Sequence, residues 1–126
     1  MRPTPSVSRL ASFAHAFAGL AHVLRTQRNA WIHAVASASV ILLAAWLHLP
    51  RIEWALLVLA MAIVWMAEFI NSALEATVDL ASPQVHPLAR LGKDVGAAAV
   101  LIAAAAAAVI GLLILGPPLA QRLLGG

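Results

Sequence analysis

The stretch that decides the fold is residues 67–79, which read AEFINSALEATVD. It continues the apolar run of residues 54–66 without a proline or a glycine, so one helix is expected to carry both segments. At about 100° per residue, its polar positions fall within roughly 100° of arc, so the long polar groups share one face of the helix. These positions are Glu68, Asn71, Ser72, Glu75 and Asp79.

Two carboxylates on this face require a positive partner if the helix lies in a membrane. A carboxylate at membrane depth costs about 2.5–3.5 kcal/mol on insertion scales. Glu68 and Glu75 are seven residues apart, and a divalent metal, a cationic side chain or a shared proton would offset their repulsion. The alternative is a solvated helix end in the cytosol, which suits Asp79 better than Glu68, because apolar residues flank Glu68.

The composition is that of an integral membrane protein with little outside the bilayer. The chain has 126 residues, of which 63% are hydrophobic and 10% charged, and its mean hydropathy is +0.93. A soluble domain of this size needs far more polar surface. We expect a single domain over residues 1–126. Cysteine is absent, which excludes thiolate catalysis, disulfides and cysteine metal sites.

On the N-terminal side of residues 67–79, the sequence predicts a surface helix and a first span. Residues 7–25 place bulky apolar side chains at helical spacing with polar residues on other faces, which is typical of an amphipathic helix on a membrane surface. The first span is predicted at about residues 30–49, the length that a bilayer requires. Pro50 then ends this helix in a tight turn, so the second span, at about residues 52–79, is expected to run antiparallel to the first.

On the C-terminal side, residues 80–94 are predicted to form an interfacial loop. Asp94 is expected to open the third helix, where a carboxylate favours the positive end of the helix dipole. The third span is predicted at about residues 95–115, and the Gly-Pro-Pro sequence at 116–118 is expected to end it. The predicted fold is therefore an all-α membrane protein with three spans and one surface helix.

Lysine and arginine counts predict the orientation of these spans. Three spans place the N-terminal region and the 80–94 loop on one side, with six Lys or Arg residues, against two on the other side. By the positive-inside rule, the first side is cytoplasmic. The N-terminus is therefore expected in the cytoplasm.

Five polar residues are expected to converge at the cytoplasmic interface: Glu68, Asn71, Glu75, Lys93 and Asp94. Carboxylates can hold Mg²⁺ or act as a base, and a lysine can bind phosphate. Glu68 lies deeper, which suits a base for a lipid hydroxyl, whereas Glu75 lies nearer water, which suits Mg²⁺. These residue types would serve phosphoryl transfer, but they would equally line an ion pathway. The residues alone leave an enzyme and a channel or structural subunit as open alternatives.

Two motifs resemble those of the prokaryotic diacylglycerol kinase family, which includes the undecaprenol kinases. Residues 68–79 are similar to its E-x-x-N-[ST]-A-[IL]-E-x-x-[VI]-D signature, and residues 93–101, KDVGAAAVL, are similar to its K-D-x-[GA]-[AS]-[AG]-A-V-L segment. The resemblance covers roughly residues 9–115, nearly the whole chain. It implies a homotrimer of three-span subunits, with active sites shared between neighbours, in the bacterial cytoplasmic (inner) membrane.

The resemblance also implies roles for individual residues. Glu68 would be the general base, and Glu68, Asn71 and Ser72 would meet the lipid, although Ser72 also suits an interhelical hydrogen bond. Glu75 would hold Mg²⁺. The residues implied on the ATP side are Gln27, Glu75, His86, Lys93 and Asp94. His86 has the alternative role of a hydrogen-bonding loop residue. Gln27 stands where the family often has a second metal-binding carboxylate, so it would offer Mg²⁺ an uncharged ligand.

The expected function is that of an ATP- and Mg²⁺-dependent lipid kinase. It would phosphorylate the hydroxyl of a membrane lipid, with diacylglycerol as the main expectation and undecaprenol as the alternative. A rival from another class is a small channel or holin-like subunit, which would carry acids along a whole span. No nucleic-acid partner is expected.

Overall fold

The structure, a computed structural model, describes residues 8–125 and consists there of four helices. They are α1 (Arg9–Thr26), α2 (Arg28–Trp46), α3 (Arg51–Ala81) and α4 (Pro87–Leu124). Of these, α2, α3 and α4 are long and apolar enough to cross a membrane. The prediction of an all-α fold with three spans and one further helix is confirmed. The first residue of the surface helix predicted at 7–25 lies outside the described residues.

Helix α1 begins at a serine cap and packs against α2. The Ser8 Oγ accepts a hydrogen bond of 3.2 Å from the N–H of Ala11, which satisfies one of the free donors of the first turn. Phe13 and Phe17 are exposed on this helix, whereas Val23 is buried. Exposed aromatic side chains on a separate helix are consistent with a helix lying on a membrane surface.

Helix α2 ends three residues before the predicted limit at residue 49. His48 has a backbone φ of 55°, in the left-handed region. A right-handed helix cannot continue through this conformation. The N–H groups of His48 and Leu49 bond back to the carbonyls of Ala45 and Ala44, at 3.2 and 3.3 Å, and so close the helix end. Pro50 then caps α3, so the predicted tight turn is confirmed.

Helix α4 is longer at both ends than the predicted span of residues 95–115. The prediction that Asp94 opens this helix is wrong, because the cap is His86, whose Nδ1 accepts from the N–H of Leu88 at 3.1 Å. Pro87 follows at the first helical position, where a backbone N–H would have no partner within the helix, so proline loses no hydrogen bond there. The predicted loop of residues 80–94 therefore shrinks to residues 82–86.

The prediction that residues 116–118 end α4 is also wrong. Pro117 and Pro118 lie inside the helix, which continues to Leu124. An interior proline removes a hydrogen-bond donor and crowds the carbonyl four residues earlier, but membrane helices tolerate both effects where neighbouring groups satisfy the freed backbone. The helix of 38 residues is about 57 Å long, which exceeds a hydrocarbon core of about 30 Å. Its ends therefore project from the bilayer or the helix tilts.

Helix α3 lies between α2 and α4 and is antiparallel to both. Along the α2–α3 pair, Ala44 packs near Leu57 at one end, and His33 faces Glu68 towards the other. Leu57 also packs with Leu115 of α4, which completes a small apolar core in the half of the molecule close to Pro50. The polar stripe of α3 from Glu68 to Asp79 lies in the opposite half. The fold therefore separates an apolar end from a polar end along α3.

Candidate functional site

Glu68 is the most deeply buried large side chain of the described residues, with 1% of its surface exposed. Its Oε2 lies 3.5 Å from the Nε2 of His33. Neither atom has a hydrogen-bond partner within residues 8–125. A buried ionisable group in a membrane helix is expensive and is therefore a functional-site candidate by default.

His33, which the sequence predicts as an interfacial or structural residue, comes to Glu68 from another helix. Its ring stands edge-on to Trp65, with 6.2 Å between ring centroids and 68° between ring planes. The Trp65 Nε1–H donates a bond of 3.1 Å to the Oγ of Ser37, one turn further along α2. The turn at Pro50 is the feature of the sequence from which this contact could be predicted. His33 and Glu68 lie about equally far from that turn on antiparallel helices, so they come to the same level.

Asn71 and Glu75 form a second pair, one turn beyond Glu68. The Nδ2 of Asn71 donates to the Oε1 of Glu75 at 3.2 Å. Asn71 is buried, and its Oδ1 has no hydrogen-bond partner within the described residues. Glu75 is half-buried. The predicted meeting of Glu68, Asn71 and Glu75 on one face of α3 is therefore seen in the structure as two neighbouring polar contacts.

Gly96 is where α4 comes close to Asn71. A Cβ at Gly96 would lie 2.9 Å from the Cδ2 of Leu74 and closer still to the Oδ1 of Asn71. Real Cβ atoms essentially never come so near to another heavy atom. The close approach of α3 and α4 at this level therefore depends on the absence of a side chain at position 96.

Lys93 forms an ion pair with Asp79 across the α3–α4 pair. The Glu75 carboxylate is also close enough to act on the Lys93 ammonium electrostatically. The sequence predicts that Asp79 suits a solvated helix end. The Asp79 side chain is 64% exposed, and it also pairs with Lys93. The acidic stripe of α3 consists of Glu68, Glu75 and Asp79. Lys93 thus connects this stripe to the first turns of α4.

Asp94 points away from Lys93 and pairs with Arg90 instead. The Arg90 Nε and the Asp94 Oδ2 are 3.9 Å apart, and both side chains are at least 70% exposed. Such a pair contributes little to stability. Adjacent helix positions differ by about 100°, so Lys93 and Asp94 do not share a direction. The convergence expected for Asp94 on the same point as Lys93 is not seen within this chain.

The loop between α3 and α4 borders a polar pocket of about 240 Å³. Asp79, His86, Arg90 and Lys93 are among its lining residues. The Nδ1 of His86 is engaged in capping α4, as in the alternative role expected for this residue. Because His86 also lines the pocket, its predicted role on the ATP side stays a prediction.

Ser72 and Gln27 make other contacts. The Oγ of Ser72 donates to the backbone carbonyl of Glu68 at 2.9 Å, within the same helix. Gln27 forms the corner between α1 and α2, where its N–H donates to the Val23 carbonyl at 2.9 Å and its carbonyl accepts from the N–H of Ala30 at 3.2 Å. The roles predicted for Ser72 at the lipid and for Gln27 at the metal stay predictions.

The donor set suits a metal carried by a nucleotide better than a resident ion. Among residues 8–125, no three side chains of the Asp, Glu, His or Cys type converge to hold a metal. Mg²⁺ usually keeps several waters and takes one or two carboxylates together with substrate phosphates. A half-buried Glu75 carboxylate, held by Asn71 and close to the cation of Lys93, fits that pattern.

An apolar groove of about 610 Å³ runs between α2, α3 and α4. His33 and Ser37 line it towards the polar end of the molecule, and Leu115 and Leu119 line it towards the apolar end. Its wall is otherwise formed by aliphatic side chains and small residues, among them Ala104 and Gly111. His33 therefore lies between an apolar groove and the buried carboxylate of Glu68.

Comparisons with known proteins show which family this chain resembles. The family model for prokaryotic diacylglycerol kinase matches residues 14–115. A diacylglycerol kinase of Synechocystis is 45% identical over 111 residues, which are 87% of this chain and 63% of that relative. An undecaprenol kinase of Bacillus subtilis is 40% identical over 108 residues, which are 86% of this chain and 88% of the relative.

A diacylglycerol kinase of Escherichia coli is 38% identical over 82 residues, which are 60% of this chain and 67% of the relative. The chain thus spans less than two thirds of the Synechocystis protein but most of the Bacillus protein. The match to the family model covers α2 and α3 entirely, together with most of α1 and of α4. With its acidic stripe and most of its three spanning helices inside this match, the chain belongs to the prokaryotic diacylglycerol kinase family.

Proposed function

We propose that this chain is a membrane lipid kinase that transfers the γ-phosphate of MgATP to the hydroxyl of diacylglycerol, giving phosphatidic acid. The observation that carries the proposal is the buried carboxylate of Glu68, separated by His33 from the end of an apolar groove. A groove of this kind suits acyl chains, and a carboxylate beyond its polar end suits the hydroxyl. Membership of the family supports the same activity.

Glu68 acts as the general base. It takes the proton from the lipid hydroxyl while the hydroxyl oxygen forms a bond to the γ-phosphorus and the bond from that phosphorus to the bridging oxygen breaks. ADP leaves with the electrons of the broken bond, and the proton stays on the Glu68 carboxyl until water removes it. Such a base contributes about 10²–10⁴-fold to a rate, and the rest comes from alignment and charge neutralisation.

The triphosphate lies on the side of Glu75 and Lys93. Lys93 binds phosphate oxygens as a point charge, in exchange for its contact with Asp79. Glu75 holds the Mg²⁺ of MgATP, with Gln27 as a further, uncharged ligand. Bound Mg²⁺ supplies neutralisation of the phosphate charge. Asn71 keeps the Glu75 carboxylate in place. The family resemblance supports His86 and Asp94 on the nucleotide side, although Asp94 pairs with Arg90 within this chain.

Undecaprenol is the alternative acceptor. The observation in its favour is the Bacillus undecaprenol kinase, of which the chain covers 88% at 40% identity. Both acceptors present a primary hydroxyl on a long apolar body, and the groove accommodates either chemistry. A competition assay with both lipids in one micelle preparation and limiting [γ-³²P]ATP tests the choice. Phosphatidic acid as the main product supports diacylglycerol, whereas undecaprenyl phosphate as the main product overturns it.

We propose further that the active enzyme is a homotrimer in the bacterial inner membrane, with its N-terminus in the cytoplasm. The described chain leaves large apolar side chains exposed along all three spanning helices, such as Leu42, Leu59 and Leu112. Lipid and neighbouring copies would cover them. A trimeric mass in mild detergent would support this assembly, and a monomer that retains full activity would contradict it.

The channel or holin-like alternative has less support. It expects polar groups along a whole span, whereas the buried polar side chains of residues 8–125 are Glu68 and Asn71, both towards one end of α3. Its distinguishing result is ion flux or lysis without any need for ATP.

A further inference from the structure

We propose that His33 is a positioning residue for catalysis: its Nε2–H holds one carboxylate oxygen of Glu68 so that the other oxygen receives the proton of the acceptor hydroxyl. The inference deepens the proposed function and rests on it, because it takes Glu68 as the base. It concerns a residue that comes from α2, outside the polar stripe of α3.

The two contacting atoms are buried, although His33 also lines the apolar groove. The Nε2 of His33 and the Oε2 of Glu68 are 3.5 Å apart, and the two side chains are 14% and 1% exposed. Both atoms are buried and have no hydrogen-bond partner within the described residues. A buried polar group without a partner is destabilising, so a small rotation that brings the two atoms into good hydrogen-bond geometry is favoured.

The chemistry of the two groups sets the direction of this bond. An ionised carboxylate only accepts, so the imidazole must donate through Nε2, whether it is neutral or protonated. A donor fixed on Oε2 restricts rotation of the carboxylate. Loose hydrogen bonds of this kind in a site without substrate commonly tighten when the substrate binds.

The neighbours of His33 hold its ring in place. Trp65 stands edge-on to the imidazole, and its own indole N–H is bonded to Ser37. Trp65 also packs against Phe69, at 6.2 Å between ring centroids. The contacts from Ser37 through Trp65 to His33 thus involve both α2 and α3. They restrict rotation of the imidazole away from Glu68 and into the groove. An acceptor lipid entering from the groove meets His33 before Glu68.

Two substitutions distinguish the effect of the His33 hydrogen-bond donor from the effect of its aromatic ring. His33→Phe keeps an aromatic ring against Trp65 but removes the donor, whereas His33→Gln places an amide N–H near the position of Nε2. His22→Phe, at an exposed histidine of α1, is the matched control. For each purified variant, kcat and the KM values for ATP and lipid are measured, together with the thermal midpoint.

A second readout does not need kinase activity. Hydrophobic carbodiimides attack protonated carboxyl groups, and a hydrogen-bond donor favours the ionised form of a carboxylate. The rate of labelling at Glu68 by dicyclohexylcarbodiimide, followed by mass spectrometry with Glu68→Gln as the blank, therefore reports the contact directly.

We expect kcat to fall about 10- to 100-fold in His33→Phe, with the KM for ATP unchanged, and to recover to within about threefold of the wild type in His33→Gln. Labelling of Glu68 should be several-fold faster in His33→Phe than in the wild type and in His33→Gln. Equal kcat in His33→Phe and the wild type would overturn the inference. So would equal losses in both variants with raised KM values and lower thermal midpoints, because that pattern marks a structural role.

The labelling rate keeps the two proposals apart. If the wild type phosphorylates no lipid, the proposed function fails, and faster labelling in His33→Phe still supports the contact. Labelling at the same rate in the wild type, His33→Phe and His33→Gln overturns the contact whatever the kinase assay gives.

Discussion

The chemical role proposed for Glu68 depends on its surroundings, because its ionisable side chain has almost no exposed surface. Residue spacing alone predicted that it shares a face of α3 with Asn71 and Glu75, since a helix has a fixed period. Spacing could not predict its contact with His33, which depends on the register of two helices across a turn. It also gave no reason for Lys93 to face Asp79, because that requires α4 to begin before residue 93.

Gln27 permits a direct test of its proposed role at the metal. We expect Gln27→Glu to lower the Mg²⁺ concentration for half-maximal rate by about 3- to 10-fold, because a carboxylate attracts Mg²⁺ more strongly than an amide. Gln121→Glu, at an exposed position near the far end of α4, is the control. The measurement is a Mg²⁺ titration of initial rates at fixed ATP. An unchanged or higher requirement in Gln27→Glu would count against Gln27 as a ligand.

At the scale of elements, the spans and their order followed from hydropathy and turn residues, but the two ends of α4 did not. The His86-Pro87 pair begins α4 seven residues before Asp94, since a histidine cap followed by proline is itself a start signal. Pro117 and Pro118 do not stop α4, which continues to Leu124, since membrane helices tolerate proline better than soluble ones do. In both cases a local rule gave the wrong boundary while the helix itself was predicted correctly.

The approach of α3 and α4 at Gly96 predicts a selective effect of one methyl group. Gly96→Ala should lower both stability and kinase rate, because its Cβ collides with Asn71 and Leu74 and such overpacking costs about 1–3 kcal/mol. Gly92→Ala, one turn away, is the matched control: its Cβ would lie 3.8 Å from the Cγ2 of Val78, an ordinary contact. It should be neutral or stabilise by up to about 1 kcal/mol through helix propensity. Thermal unfolding in detergent checks both variants, and equal midpoints would contradict the close contact.

At the scale of the whole molecule, the described chain has little core of its own. Its buried apolar residues are few, and large aliphatic side chains cover the outer faces of the spanning helices. Composition predicted this from the start, because 63% hydrophobic residues exceed what four helices can bury among themselves. The proposed trimer depends on the detailed shape of each of these faces, which hydrophobic content does not encode.

The proposed topology can be read from single cysteines, because the chain has none of its own. Three crossings place Gln84, in the loop between α3 and α4, on the cytoplasmic side and Gln121, near the end of α4, on the opposite side. In intact cells, a membrane-impermeant maleimide should therefore label Gln121→Cys and leave Gln84→Cys unlabelled until the membrane is opened. The reverse pattern would invert the orientation, and equal labelling of both would remove the third crossing.

The proposed function depends on the buried carboxylate of Glu68 as the base for lipid phosphorylation. The most direct test measures lipid phosphorylation by the purified protein and by three single variants. Glu68→Gln should reduce the rate by about 10²–10⁴-fold, and Glu75→Gln should reduce it strongly at ordinary Mg²⁺ concentrations. Glu53→Gln, in the first turn of the same helix, should leave the rate unchanged. Equal rates above background for the wild type, Glu68→Gln and Glu75→Gln would contradict the account.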